Sequence, residues 1–91
     1  MKVRVMITVK GEVQGVNFRH YTQQSALRHN VTGWVTNLLN GDVQGCFEGE
    51  ETDVMTLVDW CRTGPGLANV KEVKIEKGKF SGEFKVFEVR H

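Results

Sequence analysis

The chain lacks the features that mark several large classes of protein. It has no apolar run longer than a few residues, so no segment is long enough for a transmembrane helix. Its opening stretch, MKVRVMITVK, alternates instead of forming a continuous apolar core, which argues against a signal peptide and leads us to expect a cytoplasmic protein with no membrane partner. Neither sign of charge dominates. Twelve Lys and Arg against 11 Asp and Glu leave a net +1, spread along the sequence, which gives little attraction for nucleic acid. Cysteine is scarce: Cys46 and Cys61 stand alone, with no histidine pair near them at zinc-site spacing. No metal and no cofactor is expected. The phosphate-loop pattern GxxxxGK[ST] and the dinucleotide pattern GxGxxG are absent, and neither Ser25 nor Ser81 sits in a GxSxG turn. There is no internal repeat, linker or low-complexity tract, so residues 1–91 are expected to form one domain.

What is present suits a small globular fold. The content is 40% apolar and 25% charged, and a chain of this size buries upwards of about 60% of its unfolded surface. Residues 3–9 place Val3, Val5, Ile7 and Val9 on one face, as a half-buried strand does. A helix is expected from near Phe18 to about His29, with Tyr21 and Ala26 facing the core and Asn30 at its left-handed end. Val31 to Asn37 reads as a second strand. Asn40-Gly41-Asp42 supplies hairpin turn chemistry, and Val43, Gly45 and Phe47 form the inner face of a third strand. Val54, Leu57, Val58 and Cys61 fall at helical spacing between Thr52, a candidate N-cap, and the stop at Gly64-Pro65. Val73 and Ile75 mark a fourth strand and Phe84 to Val89 a short fifth.

The order β-α-β-β-α-β plus a short C-terminal strand predicts an α+β, ferredoxin-like split βαβ sandwich. Two helices would cover one face of a mainly antiparallel sheet. Cys46 would then point to the uncovered face and Cys61 lie under the opposite one. A disulfide cannot cross a sheet, because its Cα atoms must approach within about 7 Å. Two free thiols are expected.

Chemistry concentrates where the first strand meets the first helix. Gly11 to Arg19 contains two glycines and ends in an arginine at a helix start. Successive backbone N–H groups in such a loop can form an anion nest, and the helix dipole adds to it. Arg19 offers a planar, permanently charged fork suited to phosphate or carboxylate. A glycine-containing turn with a solvated Arg19 describes the same residues. Asn37 ends a strand, which asparagine disfavours. It is either a hairpin cap or a functional group, and spacing alone does not separate the two.

Gly11-Glu-Val-Gln-Gly-Val-Asn-Phe-Arg19 resembles the acylphosphatase signature G-x-V-Q-G-V-x-F-R. Gly33-Trp-Val-Thr-Asn37, followed by Gly41-Asp-Val43 and Gly49, resembles that family's second signature, and the likeness extends to Trp60, Gly64-Pro65 and Phe87-Glu-Val89. The resemblance implies a hydrolase that cleaves acyl phosphates to carboxylate and inorganic phosphate by in-line attack of water, without metal or phosphoenzyme. It implies that Gly11, Glu12, Val13, Gln14, Gly15, Val16, Asn17 and Phe18 wrap the phosphate while Arg19 pairs with its oxygens and Asn37 orients the water. Inorganic phosphate would be product and inhibitor, and the enzyme would act as a monomer. Thr36 stands where the family often has Lys or Arg, which removes a nearby positive charge.

Other residues have simpler roles. His20 is expected at the surface near the site, and His29 and His91 lack a partner at ligand spacing. Trp34 and Trp60 read as packing residues, and Glu48, Glu50, Glu51 and Asp53 as a solvated acidic face meeting a helix dipole. Lys77 to Phe87 faintly resembles the basic-aromatic signature of RNA-recognition sheets, but it lies at the end of the chain and not on a central strand. A second alternative is a domain that binds phosphate without hydrolysis.

Overall fold

A computed structural model describes all residues, Met1–His91. Its elements are β1 (Lys2–Glu12), α1 (Phe18–Arg28), β2 (Thr32–Asn37), β3 (Val43–Glu50), α2 (Glu51–Thr63), β4 (Asn69–Gly78) and β5 (Phe87–Arg90). The strands form one sheet in the order β4-β1-β3-β2-β5. Every pairing is antiparallel except β2 with β5, which is parallel. A row of residues crosses the whole sheet, Ile75-Ile7-Gly45-Val35-Val89, and marks the face on which the helices lie.

The alternation in β1 acts as the period-2 rule requires. Val5, Ile7 and Val9 are buried, and they pack with Val54, Leu57, Val58 and Cys61 of α2 and with Phe18 and Ala26 of α1 in one core. Helix α1 buries Phe18, Thr22 and Ala26, spaced four apart, and the Thr22 hydroxyl donates to the Phe18 carbonyl at 2.7 Å. Tyr21, expected in the core, instead lies one residue off that stripe and stays 46% exposed, its ring edge-on to His20. Thr52 is not an N-cap. Glu51 begins α2 directly from β3, with Glu50 extended before it, so Thr52 sits in the first turn. Glu51 and Asp53 meet the helix dipole there, as expected.

The opposite face of the sheet is not bare. The connection from β4 to β5 crosses it as a strap, and β5 accordingly begins at Phe87, later than the pattern suggested. Glu48, read from sequence as part of a solvated acidic face, is fully buried beneath this strap. Its carboxylate accepts from Arg4 Nε at 2.7 Å, Ser81 N at 3.0 Å and Gly82 N at 3.1 Å. Arg4 also reaches the Ser81 hydroxyl and Glu83, and its guanidinium lies over the Phe84 ring. Cys46 shares this face and is buried, while Cys61 is buried in the helix-side core. Both thiols are free.

Topology decides where a site can form. Since β1 and β2 both run antiparallel to β3, they run parallel to each other, and β5 follows β2. The C-terminal ends of β1, β2 and β5 therefore emerge along one edge of the sheet, next to the start of α1.

Candidate active site

Strand β1 continues through Gly11 and Glu12, which pair with Val70 and Asn69 of β4. Strand β4 passes so close to Gly11 that a Cβ there would stand 2.1 Å from the Asn69 carbonyl oxygen. The turn proper begins at Val13. Gly15 takes φ 77°, a left-handed conformation that glycine adopts without steric cost. Asn17 follows at φ 60°, ψ 26° and opens α1 with no side-chain cap. The first amides of α1 are thus left without a side-chain partner at the positive end of the helix dipole.

This turn forms one wall of a hollow of about 280 Å³ lined by Val13, Gly15, Asn17, Phe18, Arg19, His20, Asn37, Val89 and His91. Arg19 and Asn37, named from separate motifs, therefore face a common space. Of the other predicted cradle residues, Val13, Gly15, Asn17 and Phe18 line it. Gly11, Glu12, Gln14 and Val16 do not: the first two belong to the β1–β4 ladder, and the Gln14 amide turns toward the hairpin. The lining holds Arg19 and no acidic side chain, so its electrostatics suit an anion.

One further feature was invisible in the sequence. Arg19 Nη1 donates to the Arg90 carbonyl at 2.7 Å and lies 3.2 Å from His91 Nδ1, so the last strand fixes the guanidinium. No motif links residues 71 positions apart. Asn37 ends β2 opposite Val43, and Val43 in turn faces Val9, which places Asn37 one strand away from the exit of β1. Its carboxamide makes no hydrogen bond within the chain, and no buried side-chain polar atom anywhere lacks a partner. The amide is therefore accessible to water. Thr36, beside it, points its hydroxyl toward the Asn37 carbonyl at 3.5 Å. Nowhere do three His, Cys, Asp or Glu side chains converge as metal ligands would.

The acylphosphatase family model matches residues 5–89. The chain belongs to the acylphosphatase family. It is 64% identical over its full length to the acylphosphatase of Geotalea uraniireducens (strain Rf4), covering all of that protein. Among solved structures, the acylphosphatase of Bacillus subtilis superposes with a TM-score of 0.94 at 27% identity, over 98% of this chain and 99% of that one. The acylphosphatase of Coxiella burnetii gives 0.92 at 37% identity, over 98% and 93%. Family membership makes the chain an enzyme that hydrolyses acyl phosphates, and the ferredoxin-like α+β architecture is that of the superposed structures. No helix is long and apolar enough to cross a membrane.

Proposed function

We propose that the hollow binds the phosphoryl end of an acyl phosphate and that water attacks phosphorus there directly. The observation that carries this is the meeting of Arg19 and Asn37 in one hollow free of acidic side chains, at the end of three strands. Arg19, held by the Arg90 carbonyl, pairs with phosphoryl oxygens, and the amides from Gly15 to Arg19 cradle the rest. The Asn37 carboxamide holds the water in line with the departing carboxylate. A bond forms from water oxygen to phosphorus, the bond from phosphorus to the acyl oxygen breaks with its electron pair, and a phosphoryl oxygen takes the water's proton.

Such a transition state is loose and its leaving group good, so positioning and fixed positive charge supply most of the acceleration. No step draws on a metal, and no side chain is phosphorylated. Inorganic phosphate fits the same cradle and inhibits. The protein acts as a single domain over residues 1–91 and as a monomer. Lys71, Lys74 and Lys77 on the edge strand β4 discourage pairing with a second copy. Its two free, buried thiols suit the reducing cytoplasm.

The test is steady-state hydrolysis of benzoyl phosphate with a chelator present. Arg19→Ala should weaken both turnover and inhibition by phosphate. Asn37→Ala should lower kcat by about 10²–10³ or more, as removal of a positioned transition-state contact does, while phosphate still inhibits. Full activity in Asn37→Ala, or complete inactivation by the chelator, would refute the mechanism.

A further inference from the structure

The two halves of the site lie on strands that do not touch. β3 stands between β1 and β2, so the cradle and Asn37 are separated by about 10 Å at the level of the sheet. One side chain from the turn that leads into the cradle crosses that gap. Gln14 Nε2 donates to the Leu38 carbonyl at 2.7 Å and to the Asp42 carbonyl at 2.9 Å. Both acceptors are carbonyl oxygens, so the amide orientation is determined by them: only the NH₂ group, with two protons, satisfies both.

Those carbonyls belong to the hairpin that carries Asn37. Leu38 is its next residue, and the Leu38 N–H donates to the same Asp42 carbonyl at 2.8 Å. The hairpin is closed further by Asp42 N to Asn40 Oδ1 at 3.0 Å and tied to β1 by Lys10 to Asp42 at 2.7 Å. Gln14 thus grips the two ends of a preorganised turn. On the other side, the cradle is anchored without Gln14, by the start of α1 and by the hold of Arg90 on Arg19.

We infer that Gln14 is a positioning residue: its side chain binds no substrate but sets the distance between the phosphate cradle and Asn37. This rests on the roles proposed above for Arg19 and Asn37. Because the cradle keeps its own anchors, loss of the Gln14 donor should displace Asn37 and leave phosphate binding intact. A displacement on the order of 1 Å costs up to about a hundredfold in rate.

The experiment compares Gln14→Glu, which keeps the shape but turns a carboxylate toward two carbonyls, with Gln14→Met, which keeps the length without a donor. Gln14 is exposed, so both variants should fold, and thermal unfolding checks this. Expected is a fall in kcat on benzoyl phosphate of about ten- to a hundredfold in both variants, with a Ki for inorganic phosphate within about twofold of wild type in Gln14→Met; the new charge of Gln14→Glu repels phosphate directly, so that variant is read on kcat alone. The Asn37 side-chain amide signals in a ¹⁵N–¹H spectrum, assigned by their loss in Asn37→Ala, should shift or broaden. Unchanged kcat in folded variants, or equal losses of turnover and phosphate affinity in Gln14→Met, would overturn the inference. If Asn37→Ala is itself fully active, the water-positioning role fails instead, and the two failures are told apart.

Discussion

Replacing Glu48 by alanine removes a carboxylate that is fully buried and accepts from a guanidinium, two backbone amides and a hydroxyl. Breaking a buried charge pair from one side costs about 3–5 kcal/mol. Here Arg4 is 22% exposed and Ser81 and Gly82 are exposed, so water reaches part of what is stranded, and the lower end, about 3 kcal/mol, is expected. For a domain of this size each kcal/mol moves Tm by about 4–8 °C, so Tm should fall by about 12–24 °C.

The same group gives a pH signature. Burial alone would raise the Glu48 pKa, but the Ser81 amide, the Arg4 guanidinium and the Gly82 amide outweigh it and hold the carboxyl below its usual range. A lowered folded pKa means that the stabilisation is complete above the unfolded value of about 4.3 and is lost as pH falls through the folded one. Thermal unfolding followed by circular dichroism from pH 7 to pH 3 should therefore show the gap between wild type and Glu48→Ala narrow below about pH 4. Benzoyl phosphate turnover by the folded variant should stay near wild type, since Glu48 is on the face away from the hollow. A Tm loss under about 4 °C at pH 7, or a gap that does not change with pH, would refute this account of the strap.

Gly11→Ala should destabilise by about 2–4 kcal/mol in urea titrations, because a Cβ would collide with β4 and φ is 132°. Gly15→Ala, strained at φ 77° but with open space around its Cβ, should lose about 1–2 kcal/mol. Phe18→Ala should lose about 3–5 kcal/mol and alter tryptophan fluorescence, since the buried ring packs 5.6 Å from that of Trp60. Cys46 and Cys61 are both buried, with thiols pushed up by desolvation. A thiol reagent should label neither quickly in the native protein and both in denaturant.

Much of this was legible because it is local or periodic. Val5, Ile7 and Val9 announce their strand by alternation, and Val54, Leu57, Val58 and Cys61 announce their helix by spacing, since each pattern follows from backbone geometry. The family signatures named Arg19 and Asn37, and the sheet brings the two to one hollow. What stayed hidden depends on contacts distant in sequence. Glu48 looked solvated because the residues that bury it lie more than thirty positions away, in a strap with no periodicity of its own. Tyr21 looked buried because it is aromatic, yet the helix phase set by Phe18, Thr22 and Ala26 turns it outward. Gln14 sat inside a phosphate-binding motif, and nothing in the motif says that its side chain faces the neighbouring hairpin.

The grip of Arg90 on Arg19 joins residues 71 positions apart, so the guanidinium is aimed only once the final strand has docked beside β2. Folds that rest on contacts of such long sequence separation form slowly. Turnover during refolding should thus return no sooner than the sheet is complete, making catalysis itself a reporter of full assembly.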